Sequence, residues 1–152
     1  MKILILSNAD SVHTKRWVKS LIDKNIDVVL YSIIPGTDDF YEKNNVKHYF
    51  FDLFTYRKKG ILSVFKKYHR HFKAVSDLKR VINKEKPDIL NAHYATSFGL
   101  VAALSNFHPF VISVWGSDVY QFPNQSFMNR KMFQFIMKKA DKICSTSSIM
   151  SK

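Results

Sequence analysis

A chain of 152 residues that is 46% apolar, with four Gly and four Pro, is long enough for one domain with a sizeable core and excludes a disordered tail, a fibre or a long flexible linker. Its 24 Lys and Arg against 12 Asp and Glu give a net charge of +12, which attracts nucleic acid, anionic lipid or phosphorylated ligands. The single Cys144 excludes an internal disulfide, and no apolar run approaches the ~20 residues that span a bilayer, so the cytoplasm is the expected location.

The chain opens on "MKILILSNADS", whose apolar run of four is too short for a signal peptide but suits a strand over 2–7. In 12–24 the residues Val12, Trp17, Val18, Leu21 and Ile22 share one helical face. Two segments rich in Val, Ile and Phe, 26–33 and 46–51, read as strands. A helix over 61–82 follows, its apolar series Ile61, Phe65, Tyr68, Phe72, Val75 and Ile82 stepping by three, four or seven. Strands at 88–92, 110–115 and 142–146 then alternate with helices over 97–107 and 126–140. Several of these strands are apolar without alternation, as strands covered on both faces are. The order predicts an α/β fold: a doubly wound, mostly parallel, Rossmann-like sheet with helices on both faces. The closing "SSIMSK" reads as a helix that begins and is not completed, so the natural polypeptide, or a partner, is expected to continue.

The charge is uneven. Residues 57–86 carry 11 Lys and Arg against Asp77 and Glu85, which places +9 of the +12 there. Lys66, Arg70, Lys73, Arg80 and Lys84 follow a four-and-three rhythm interrupted only by Asp77 and form one stripe. That stripe reads either as a solvated helix face or as a docking surface for an anionic membrane, where each cation adds ~1 kcal/mol. Nucleic acid is disfavoured, because no aromatics interleave the stripe and no binding module is present.

Ligands of open α/β sheets bind beyond the carboxyl ends of the strands. Three loops qualify: Ser7 to Ser11, His93 to Ser97 and Gly116 to Asn124. The first lacks the G-x-G-x-x-G pattern of dinucleotide binding, and Asp10 would repel a phosphate, although Asp10 or Ser11 can cap the following helix. Asn8 lies in this loop and His13 just after it, solvated on the plainer reading, whereas Trp17 reads as core. His93 is open between a histidine whose ring bonds a neighbouring carbonyl and one that faces a ligand. Gly116, Ser117 and Asp118 form either an ordinary Asx-capped turn or a binding loop, and no G-x-S-x-G elbow surrounds Ser117. No D-x-D, C-x-x-C or H-E-x-x-H occurs, and His69 and His71 point to opposite sides of a helix, so no metal site is expected.

The stretches "SNADSVHTKRWVKSL", "KPDILNAHYATSFGLVAAL", "FVISVWGSDVY" and "ADKICSTSSIMSK", in this order, resemble the N-terminal half of family 4 glycosyltransferases, the large retaining group of the GT-B fold. The similarity covers essentially the whole chain and is nearest to bacterial enzymes that build capsule, lipopolysaccharide or exopolysaccharide. The resemblance implies two Rossmann-like domains facing a cleft, the N-terminal one for the acceptor and the C-terminal one for a nucleotide-sugar donor. It implies retaining, metal-independent transfer with no cofactor beyond that co-substrate. His93 matches a catalytic histidine that reaches the donor sugar. Ser7, Asn8, Asp10 and Ser11, and Gly116, Ser117 and Asp118, match the substrate-binding loops; His13 and Tyr94 are substrate-binding candidates from their place in the loops at the strand ends. The chain departs from many members in lacking a Gly-Gly pair in the first loop and in placing Trp115 where they have histidine. On this resemblance residues 1–152 are a truncated acceptor-side domain whose donor-binding domain is absent, inactive alone and peripheral to the inner face of the membrane where lipid-linked acceptors lie. The other readings are a non-catalytic subunit pairing with a separate donor-binding protein and a free-standing nucleotide-binding module.

Overall fold

Six parallel strands form one sheet in the order β3-β2-β1-β4-β5-β6 in the computed structural model, which describes residues 1–53 and 62–147, without the side chains of 62–68. The strands are β1 (Lys2–Leu6), β2 (Asp27–Ser32), β3 (Lys47–Phe50), β4 (Ile89–His93), β5 (Phe110–Val114) and β6 (Lys142–Ser145). The helices are α1 (Val12–Ile22), α2 (Phe40–Lys43), α3 (Leu62–Glu85), α4 (Ser97–Ser105), α5 (Ser117–Tyr120) and α6 (Phe127–Lys139), with a 3-10 turn at Phe122–Asn124. The doubly wound Rossmann-like class expected from the alternating pattern is therefore the fold. The short helices α2 and α5 and the 3-10 turn were not anticipated, being too short to show a helical period.

Strand geometry divides the core into two layers, because successive side chains point to opposite faces. Leu4 and Leu6 of β1 and Val29 and Tyr31 of β2 pack with Leu78 and Val81 of α3, Phe98 and Val101 of α4 and Ile136 of α6. Ile3, Ile5, Val28 and Leu30 turn the other way, onto Val18 of α1 and Tyr41 of α2. Both faces of β1 are thus covered, which is why "KILIL" has no polar alternation. Asn25, Asn45 and Asn106 take left-handed backbone conformations (φ 56°, 54° and 56°) just past α1, α2 and α4, the usual way to end a helix without glycine.

Some expected core residues lie outside it. Val12 is 60% exposed at the first position of α1, and Phe72 of α3 is 64% exposed while Ala74, Val75 and Leu78 fill the interface. Trp17, read as core, is 38% exposed. Its ring leans instead over the carboxyl end of β4, as described below. The closing residues 148–152, and the side chains of Ile61, Phe65, Tyr68 and Lys66, lie outside the described residues.

Candidate functional site

The carboxyl ends of β1, β4 and β5 are neighbours in the sheet, so the loops that leave them meet. Between them lies a cavity of about 280 Å³ lined by Ser7, Asn8, Ser11, Thr14, Tyr94, Thr96, Phe98 and Trp115. Its lining contains hydroxyls, one amide and three aromatic rings, and no charged side chain.

The floor is built by β1 and α1. The buried hydroxyls of Ser7 and Thr14 bond each other at 2.7 Å. The amide of Asp10 donates to Asn8 Oδ1 at 3.0 Å, a local turn that fixes Asn8 in the wall. Ser11 holds the N-cap position of α1 but its hydroxyl caps nothing, so the expected cap is absent and the side chain lines the cavity. Nor does Asp10 cap the helix or enter the cavity. Its carboxylate accepts the backbone N–H and the hydroxyl of Thr37, at 2.8 and 3.0 Å.

The wall is aromatic. Tyr94 and Trp115 stack with 5.7 Å between ring centroids and 17° between planes. His13 meets Trp115 edge-on at 4.7 Å. Behind this wall His93 is fully buried, with Trp17 at 5.5 Å and Trp115 at 5.3 Å. Neither ring nitrogen of His93 has a hydrogen-bond partner, nor has Trp115 Nε1. The alternative in which His93 bonds a carbonyl is therefore excluded, and the ring lies beneath the cavity wall instead of facing the cavity. Burial alone pushes its pKa down to about 4, so the ring is neutral at pH 7.

Asp118 has a structural task. Its Oδ1 accepts the amides of Trp115 and Gly116, both at 2.9 Å, and its Oδ2 accepts the amide of Ala95 at 2.9 Å. The carboxylate is thus a clamp joining the β4 loop to the β5 loop, and it lies outside the cavity lining. Gly116 makes the turn possible, at φ 119°, where a side chain would be strained. Tyr94 also takes a positive φ, 70°, which swings its ring onto Trp115. Ser117 is exposed and begins α5.

Of the residues singled out from sequence, the cavity gathers Ser7, Asn8, Ser11 and Tyr94, with His13 against its Trp115 wall. It leaves Asp10, His93, Gly116, Ser117 and Asp118 out of its lining. It adds Thr14 and Phe98, which sit one helical turn or less inside α1 and α4; their distance of three residues from Ser11 and one from Ser97 was the available signal.

The basic stripe is partly tied down. Arg70 donates to the carbonyl of Asp52 and lies 3.7 Å from its carboxylate. Arg80 bonds Asp77 at 2.7 Å, and Lys84 sits 5.2 Å over the ring of Tyr49. Lys73 is exposed, and the side chain of Lys66 lies outside the described residues.

Known proteins share this architecture. The family model described as "glycosyl transferase 4-like" matches residues 2–147. No curated protein matches the chain. Among solved structures, the UDP-GlcNAc 2-epimerase of Methanocaldococcus jannaschii superposes with a TM-score of 0.64 at 16% identity, over 98% of this chain and 40% of its own. MurG of Acinetobacter baumannii gives 0.62 at 17% identity, over 96% of this chain and 41% of its own. The lipopolysaccharide outer core galactosyltransferase WaaB gives 0.59 at 19% identity, over 99% of this chain and 42% of its own. The chain therefore spans about two fifths of the length of these structures, and at such identities the likeness is one of fold.

Proposed function

The chain belongs to the glycosyl transferase 4-like family, and from that premise we propose that it is the acceptor-side half of a retaining, metal-independent glycosyltransferase of GT-B architecture. The observation that carries this reading is the uncharged lining of the cavity at the carboxyl ends of β1, β4 and β5. Hydroxyls and an amide on one side suit a partner rich in hydroxyls, and the stacked Tyr94 and Trp115 offer a flat apolar face to a sugar ring. A pyrophosphate is held by cations as well as by helix amides; the uncapped N-termini of α1 and α4 border the cavity, but its lining supplies no cation. The reading therefore assigns the cations that neutralise the donor's phosphates to a second domain. On the same reading the acceptor is a glycan or lipid-linked saccharide of bacterial cell-surface polysaccharide synthesis, and the protein works at the inner face of the membrane. His93 meets the donor sugar only after Trp115 moves aside.

The test is titration of the chain with acceptor-type oligosaccharides and, separately, with UDP and UDP-sugars, followed by the indole N–H resonance of Trp115. Saccharides should shift it at millimolar concentration while UDP leaves it in place. Tight UDP binding with no saccharide response would instead establish a free-standing nucleotide-binding module.

A further inference from the structure

Helix α1 borders a second concavity besides the cavity above. Ser11 and Thr14 line that cavity. On a neighbouring stripe of the same helix Val12, Lys15, Arg16 and Lys19 line a groove of about 680 Å³, with Lys24 just past the helix and Phe40 of α2. The volume falls in the ~300–1,000 Å³ range of small-ligand sites. From Val12 to Lys24 the groove follows the helix for roughly 18 Å. Its two sides are tied together. Asp38 pairs with Lys15, Asp10 accepts the backbone N–H and hydroxyl of Thr37, and Tyr41 of α2 donates its buried hydroxyl to the carbonyl of Ala9 at 2.6 Å.

Charge says what it fits. Four cations line the groove, and among the described residues Asp23 is the one acid in its lining. Lys15 is engaged by Asp38, and Lys19 by Asp23 at 3.0 Å. Arg16 and Lys24 are exposed and have no ion-pair partner among the described residues. Eight residues apart, they stand roughly 12 Å from each other along the helix, a span that one disaccharide unit covers. Cations strung along a helix suit a charge repeated along a chain, whereas a single phosphate is held where donors converge. The apolar groups of the lining are Val12, 60% exposed, and the half-buried Phe40. Two are too few for an amphipathic peptide helix, which anchors on a stripe at i, i+3, i+4 and i+7. They suffice for the apolar faces of sugar rings whose edges meet charges and hydroxyls. Val12 directly follows Ser11 of the cavity lining, so a chain whose end sits in the cavity continues into the groove.

We propose that the groove between α1 and α2 extends the acceptor site and takes an acidic, carboxylate-bearing saccharide, with Arg16 and Lys24 meeting its carboxylates. The inference rests on the proposed acceptor role of the cavity and names the chemical class of the acceptor.

The experiment titrates the chain at low salt with tetragalacturonate and with its fully methyl-esterified, uncharged form. Calorimetry gives the affinity, and the amide resonances of α1 and Phe40, with the Trp115 indole, give the place. The acid should bind at least about tenfold more tightly than the ester, with shifts along Val12 to Lys24. That advantage should vanish at ~1 M salt, where the Debye length is about 3 Å. Arg16→Glu/Lys24→Glu should remove the advantage without disturbing the fold, since both side chains are exposed. The same change of charge on α3, Lys73→Glu/Lys79→Glu, should alter it less than about twofold. Equal affinity for acid and ester, with the ester still shifting Trp115, overturns the groove assignment and leaves the acceptor reading standing. Acid-specific shifts along α1 with Trp115 unmoved uphold the groove's ligand and overturn the acceptor reading of the cavity. The proposal is also overturned if neither form binds, or if α3 reversal removes the advantage and Arg16→Glu/Lys24→Glu does not. Polyglutamate binding as tightly as tetragalacturonate overturns it too, and assigns the groove to an acidic protein segment.

Discussion

The indole of Trp115 lies 5.3 Å from the imidazole of His93 and separates it from the cavity that the same indole lines. This side chain therefore shapes the cavity wall and, with Trp17, contributes to the burial that keeps the histidine beneath it neutral. Burial holds His93 down to about 4 with no charged neighbour involved. Trp115→Ala opens the ring to water, so the His93 pKa should rise toward the ordinary 6.5, read from the pH dependence of its ring C–H resonances. An unchanged low value in that variant would show that Trp115 is not what keeps water out.

The same burial predicts an acid-sensitive stability. The unfolded chain takes up a proton at His93 near pH 6.5, and the folded chain refuses it until about 4. Stability is thus highest above 6.5 and declines by ~3 kcal/mol as pH falls toward 4. Glu85 acts in a lower window. Hydrogen bonds from Tyr49 and Lys47 hold its carboxyl down from 4.5 to about 2, so its contribution is complete above 4.5 and lost as pH falls toward 2. Urea denaturation at a series of pH values should show both windows. His93→Leu should diminish only the upper one, leaving the part due to His48, whose burial also holds its ring below the ordinary value, and should cost little at pH 7 because two unpaired buried nitrogens go with it. If His93→Leu unfolds with the wild-type pH dependence between 6.5 and 4, another group is responsible.

Loss of Asp118 should damage the site through the backbone clamp it forms. Asp118→Ala leaves the buried amide of Ala95 and those of Trp115 and Gly116 without their acceptor. The cost is ~3 kcal/mol or more, and the β4 and β5 loops should separate. Asp118→Asn keeps one acceptor oxygen and turns an NH2 toward the remaining amide, for a smaller loss of ~1–3 kcal/mol. Chemical denaturation gives the ranking, and amide exchange at Ala95 reports the opened clamp. Equal stability of Asp118→Asn and wild type would contradict the geometry.

The strands and the long helices were legible because their causes are local. Runs such as "KILIL" and "DVVLYS" carry β-branched and apolar residues with no polar face, and α3 carries a helical period. The cavity's address was legible too, since the loops that line it are those at the carboxyl ends of the strands. The aim of individual side chains was not. Asp10 is turned by Thr37, 27 residues away, and Asp118 by Ala95, 23 residues away. Arg70 is held by Asp52 across 18 residues, which removes it from the free stripe that its helical spacing suggested. Such partners depend on the assembled sheet and leave no mark in a local window. Phe72 failed for a related reason: its spacing fits the apolar series, but the interface turns onto Ala74, Val75 and Leu78.

Close approach of α4 to the sheet depends on Gly99. A Cβ there would stand 3.0 Å from the carbonyl oxygen of Tyr94, 3.1 Å from Ile112 Cδ1 and 3.1 Å from Ile136 Cγ2. The two isoleucine methyls can yield, whereas the Tyr94 carbonyl accepts the amide of Gly99 and is fixed to the cavity wall. Gly99→Ala should therefore cost ~1–3 kcal/mol and move Tyr94, seen as a change in the Tyr94 and Trp115 ring resonances. A stabilised variant, as helix propensity alone would give, would mean that α4 has room to shift away from β4.

The hydroxyl pair at the cavity floor offers the last test. Ser7 and Thr14 bond each other at 2.7 Å, and each is buried, at 3% and 0% exposure. Ser7→Ala leaves the Thr14 hydroxyl short of its partner, and Thr14→Val does the same to Ser7, so each alone should cost ~1–3 kcal/mol. The double variant removes both groups at once and should cost clearly less than the sum, with a coupling of ~1 kcal/mol or more in a double-mutant cycle. If the hydroxyls serve only to hold α1 to β1, saccharide binding should follow stability across the three variants. If they also bind a sugar hydroxyl, the double variant should fail to shift the Trp115 indole on titration even under conditions where it is fully folded. Strict additivity of the two single changes would mean that each hydroxyl has found another partner and that the pair is not the unit holding the floor together.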